Sequence, residues 1–94
     1  MRKEKAYNNT MIRDKFERFL NGQFVELNTG EQIGYLNRLQ KQYPAITDER
    51  IEQLPDADCM RMTKDMKGES FLMLITYDTR YLIKISTWEI REEK

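Results

Sequence analysis

Apolar positions recur at helical spacing in the first half of the chain and at strand spacing in the second. Ile12, Phe16, Phe19 and Leu20 follow one another at intervals of four, three and one, with Arg13, Asp14, Glu17 and Arg18 between them. This stripe predicts an amphipathic helix over about residues 10–21. Asn9 or Thr10 offers an N-cap oxygen, and Gly22 sits where a helix-ending left-handed residue belongs. Residues 23–27 (QFVEL) read as a short strand or an extended connector. Thr29-Gly30-Glu31-Gln32 matches a capping box and predicts a second helix over about 30–43. Its stripe is Ile33, Leu36, Leu39 and Tyr43, and Pro44 ends it. A third, short helix is expected at about 48–53. Thr47 is its N-cap, Asp48 and Glu49 complement its dipole, and Ile46 and Ile51 form a hydrophobic staple.

From Cys59 onward the pattern changes. Segments at about 59–65, 71–77 and 80–90 are strand-like, with β-branched and aromatic residues dominating the last two. The short connections between them imply an antiparallel meander with 71–77 in the middle. The expected fold class is therefore α+β: two to three short helices followed by a three-stranded antiparallel sheet.

The middle strand, FLMLITY, does not alternate between apolar and polar residues. Successive side chains on a strand point to opposite faces, so both faces of this sheet are apolar. With Asp78-Thr79 as a two-residue loop, one face carries Leu72, Leu74, Tyr81, Ile83 and Ile85. The other carries Phe71, Met73, Ile75, Tyr77, Leu82 and Trp88. An even-length loop at 66–69 adds Met60 and Met62 to the second face, and a slip of one residue in the last turn regroups the third strand. An antiparallel sheet ordinarily packs one face and wets the other. The second face thus calls for a cover: a split pair of helices, the N-terminal arm, a second copy in a homodimer, or a different protein.

Composition narrows the chemistry. The chain has 94 residues, which suits one domain (9–94) preceded by a mobile basic arm at 1–8. Lys plus Arg and Asp plus Glu number 16 each, and this zero balance argues against a dedicated nucleic-acid binder. With no histidine and one cysteine, the usual nucleophile pairs and zinc sites are missing, and Cys59 reads as a small buried hydrophobe. No catalytic residue, metal site or cofactor is expected. The charged opening predicts no secretory signal, and no apolar run reaches a membrane span. The expected compartment is the cytoplasm, whether of the parent cell or of an infected host.

Two charge clusters stand out. Arg2, Lys3, Lys5 and Arg13 form a basic N-terminal stretch that could contact phosphates. Glu52, Asp56 and Asp58 belong to an acidic segment that could dock on a basic groove. The element order, helices followed by an antiparallel meander, resembles the small ribosome-dependent RNase toxins of bacteria. That resemblance implies a site drawn from Arg61, Lys64, Arg80, Tyr81 and Lys84, although those toxins open with a strand and this chain with a charged arm and a helix. A short charged chain with little chemistry also resembles accessory proteins of phages and mobile elements. The leading expectation is a non-enzymatic protein-binding regulator or inhibitor of a larger protein. Its contact residues are Phe71, Met73, Ile75, Tyr77, Leu82 and Trp88, with Glu52, Asp56 and Asp58. The alternatives are a small nucleic-acid-binding protein using the basic arm, or a toxin-like RNase.

Overall fold

The computed structural model describes residues 9–93. Helices α1 (Asn9–Leu20), α2 (Thr29–Gln42) and α3 (Asp48–Glu52) pack on a sheet of five strands rather than three. These are β1 (Val25–Glu26), β2 (Cys59–Lys64), β3 (Ser70–Ile75), β4 (Arg80–Lys84) and β5 (Ile90–Glu93). The strand order is β1-β2-β3-β4-β5, and every neighbouring pair is antiparallel.

Helix α1 ends as its sequence predicts. The amide of Gln23 donates to the carbonyl of Arg18 and that of Gly22 to Phe19, while Gly22 takes φ +83°. These bonds satisfy the last carbonyls of the helix. Asn9 and Thr10 are the first two residues of α1. The cap of α2 is one residue earlier than expected. Asn28 accepts from the Glu31 amide and donates its own amide to the Glu31 carboxylate. The buried stripe of α2 is Tyr35, Leu36 and Leu39, and Ile33 faces solvent. Tyr35, Leu39 and Tyr43 recur every fourth residue, so Tyr35 holds the inner face while Ile33, two residues before it, is turned away. Thr47 caps α3 as expected, accepting from the Arg50 amide.

The turns decide which side chains meet the helices. Between β2 and β3, the Asp65 carboxylate accepts from the amides of Lys67 and Glu69. The backbone amide of Asp65 donates to Glu69, and Gly68 has φ +85°. This is a three-residue loop closed by a left-handed glycine, not an even-length one. It pairs Met60 with Leu74 and Met62 with Leu72. Met60 and Met62 are therefore in the core with the leucines, contrary to the even-loop expectation. Between β3 and β4 the two-residue turn is Tyr77-Asp78 instead of Asp78-Thr79, closed by Thr76 donating to Thr79. That shifts the register by two residues, so Leu74 faces Tyr81 and Leu72 faces Ile83. A two-residue shift preserves the faces, and Leu72, Leu74, Tyr81, Ile83 and Ile85 share one side as expected.

The expected third strand, 80–90, is two strands. Residues 85–88 turn back, with the Trp88 amide donating to Lys84 and the Trp88 backbone at φ +64°. The turn swings the indole into the core, where it is 7% exposed. Trp88 therefore does not belong to the second face.

All the helices contribute to one core. Ile12, Phe16 and Phe19 of α1 and Tyr35, Leu36 and Leu39 of α2 meet Met60, Met62, Leu72, Leu74 and Ile83 of the sheet, and Ile51 of α3 packs against its edge. Each such side chain, fully buried, contributes roughly 1.5–3 kcal/mol. A part-buried ion pair joins α1 to α2: Lys15 Nζ lies 2.8 Å from Glu31 Oε2. The ammonium hydrogen bond, together with the Asn28 amide, holds the Glu31 carboxyl below its ordinary pKa against the opposing effect of burial. A carboxyl lowered in the folded state stabilises above its unfolded pKa, and that stabilisation is lost as pH falls through the folded value. Glu31→Gln is thus expected to cost about 1–3 kcal/mol at neutral pH. The difference from wild type should shrink below about pH 4. Urea melts of both proteins across the acid range check this, and a pH-independent difference would show the pair to be energetically silent.

Candidate functional site

The face of the sheet opposite the helices is a grid set by the register. One row across the strands is Glu26, Cys59, Ile75, Arg80 and Glu93. The next is Arg61, Met73, Leu82 and Arg91, and the last is Thr63, Phe71 and Lys84. Rows are spaced by about 6.8 Å and strands by about 4.8 Å. Four apolar side chains, Phe71, Met73, Ile75 and Leu82, thus form a contiguous centre bordered by charges of both signs. They are half-buried against one another and against the long stems beside them, and none belongs to the core on the other side. A shallow groove over Phe71, Met73 and Leu82 reaches Thr63 and Arg91. Among the described residues, no helix crosses this face.

Phe24 extends the face past its β1 corner. It precedes Val25, whose side chain points into the core, so it points outward, and its ring is 45% exposed. The Arg61 guanidinium lies 5.0 Å from the ring centroid. The alternation in QFVEL carries this placement, but a two-residue strand is too short to be read from pattern alone. Cys59 also lies on this face. Burial, with Glu26 and Asp58 adding to it, pushes its thiol pKa up, which keeps it in the unreactive protonated form.

The remaining expected residues are dispersed. Tyr77 is at the tip of the β3–β4 turn and 97% exposed, outside the apolar centre. Glu52 lies on α3, on the helical side. Asp56 and Asp58 lie in the connection to β2, where the Asp58 backbone bridges Leu27 and Ile75. The three acids and the apolar centre do not form one surface. Arg13 is exposed on α1. Arg2, Lys3 and Lys5, with the rest of the expected arm at 1–8, lie outside the described residues. Of the residues implied by the toxin resemblance, Arg80 and Lys84 occupy opposite ends of β4 on the open face. Tyr81 belongs to the other side, against the core. Arg61 and Lys64 come together at the β2 edge.

Among the described residues, no group of three His, Cys, Asp or Glu side chains is placed to hold a metal ion. No helix there is long and apolar enough to cross a membrane. Comparison with protein-family models, curated proteins and solved structures finds no match to the chain.

Proposed function

We propose that this chain is a non-enzymatic binding protein that regulates or inhibits a larger protein by seating its open sheet face on it. The observation that carries this reading is the contiguous apolar centre of Phe71, Met73, Ile75 and Leu82 on a face that no described helix covers. A sheet with one face packed has no structural need for four adjacent apolar side chains on the other. Polar residues there would hold the strands equally well. Met73 at the middle adds an adaptable, polarizable contact.

Dimensions favour a different partner over a second copy. Five strands at about 4.8 Å and five residues at about 3.4 Å give a footprint of roughly 400 Å². Two such faces packed together would bury roughly 800 Å² in all, the scale of lattice contacts rather than of stable complexes. A larger protein can also engage the rim, above all Phe24 and Tyr77, and so approach the roughly 800 Å² per partner of a standard interface.

The test uses Met73→Asp, with Ile33→Asp on the solvent side of α2 as a control. A charge at the centre of a docking surface is expected to cost several kcal/mol of binding. Both variants should melt close to wild type. Affinity capture with each as bait should yield one stoichiometric protein with wild type and Ile33→Asp and lose it with Met73→Asp. Equal capture by all three baits, or recovery of nucleic acid alone, would overturn the reading. Light scattering of the free chain separates the remaining case, in which a wild-type dimer that Met73→Asp disrupts would identify the partner as a second copy.

A further inference from the structure

Strand β1 accompanies β2 only at Cys59 and Met60. Beyond it, the outer edge of β2 borders a cleft of about 280 Å³ beneath the last turn of α1 and the end of α2. Its polar lining is Asn21, Tyr43, Arg61, Thr63, Lys64 and Ser70. That lining combines two cations, three hydroxyls and a carboxamide, with no carboxylate. We infer that this cleft binds a tetrahedral oxyanion, a phosphate group above all. The cleft opens at the sheet edge and shares Thr63 and Lys64 with the groove over the apolar centre, but phosphate binding there requires no protein partner.

Arg61 places a guanidinium on the wall of the cleft. Its Nε is buried at the cleft and has no hydrogen-bond partner among the described residues. An atom so enclosed is out of an anion's reach, so the contact with an anion in the cleft falls to the outer nitrogens of the guanidinium. The guanidinium is held in place by the Phe24 ring, so little side-chain entropy remains to be lost on binding. The neighbouring acids are committed elsewhere. Asp65 accepts from the amides of Lys67 and Glu69, and Glu69 accepts from the Ser86 hydroxyl at 2.6 Å. Both keep their charge, but neither lines the cleft.

The cleft also lies at the C-terminal ends of two helices, whose partial charges oppose an anion. Each amounts to about −0.5 of a charge. Three of the carbonyls that carry it already accept bonds: Arg18 and Phe19 in α1, and Leu39 in α2 from the Tyr43 amide. Among the lining residues themselves, two full cations outweigh these partial charges. The space admits a phosphate with several waters, each taking about 30 Å³.

The experiment is a titration of the full chain with inorganic phosphate, followed by amide correlation NMR. Sodium chloride at matched ionic strength gives the reference. Saturable shifts at Gly22, Thr63 and Ser70 are expected beyond the chloride response. Arg61→Met and Lys64→Met should each weaken the affinity about tenfold or more, the value of a charge-assisted hydrogen bond. Arg91→Met, a cation on the same sheet outside the cleft, should leave it unchanged. Lys64→Met guards against the Arg61 variant failing through its lost contact with Phe24. A parallel titration with O-phosphoserine separates the sources, because tighter binding of the ester assigns the cleft to a phosphorylated group and tighter binding of inorganic phosphate to the free ion. Shifts that do not saturate, that match chloride, or that survive both the Arg61 and Lys64 substitutions would overturn the inference.

Discussion

Leu74→Asp is expected to unfold the protein. Leu74 is wholly buried at the centre of β3, between Met60 on β2 and Tyr81 on β4. Truncating a leucine at such a site costs about 2–5 kcal/mol. The introduced carboxylate then adds the penalty of a buried charge with no partner, or of taking up a proton to avoid it. Together these approach the whole stability of a small domain, about 5–15 kcal/mol. The expected result is loss of the near-ultraviolet dichroism and of the cooperative melt. Its neighbour Met73 points to the opposite face, so Met73→Asp should keep both signals. The contrast between adjacent residues tests the face assignment directly. A folded Leu74→Asp beside an unfolded Met73→Asp would mean that the helices lie on the other side of the sheet.

The second large effect concerns Trp88. Its backbone occupies the left-handed region at φ +64°, where an L-residue other than glycine costs about 1–2 kcal/mol. The conformation persists because it places the indole in the core, with Arg50 5.7 Å from the ring centroid. Trp88→Ala loses the packing, about 3–5 kcal/mol, and keeps the strain. Trp88→Gly loses the same packing and relieves the strain. Glycine should therefore be the less damaging substitution here by about 1 kcal/mol, the reverse of its usual standing against alanine. Urea denaturation followed by far-ultraviolet dichroism decides the order, provided the two variants share an m-value. An alanine variant as stable as the glycine one would show that the turn carries no strain.

These two residues also mark where the sequence could and could not be read. The alternation of Leu72 and Leu74 against Phe71, Met73 and Ile75 is a property of β3 alone, so it was legible without knowing any partner strand. Gly22 and Thr47 were legible for a similar reason, since each acts within its own turn of chain. The side taken by Met60 and Met62 depends on whether one loop has an odd or even number of residues. Asp65 followed three residues later by Gly68 is the signature of the odd loop, and a reading that weighed those two positions would have placed the methionines in the core. Trp88 offered no such clue, because a tryptophan rarely takes a left-handed backbone and only the tertiary packing makes it do so. The apolar centre was legible as a pattern. The Arg61–Lys64 cleft was not, because it assembles from the ends of α1 and α2 and the edge of β2, which only the fold brings together.

Among the described residues, the two of β1 are the only part of the first half of the chain that joins the sheet, and they pair Val25 with Met60 across the span that holds α2 and α3. Strands β2 to β5, by contrast, are joined to one another by short connections. Closing short loops costs less entropy than closing a long one, and contacts between near neighbours form faster. The meander can therefore assemble as a local unit, and docking of β1 with its helices is the entropically expensive event. In a meander formed ahead of that event, the leucines of β3 would be as bare as the methionine between them, with both faces of the sheet open to aggregation. The shortest strand in the molecule thus stands at the step that gives the sheet an inside and an outside.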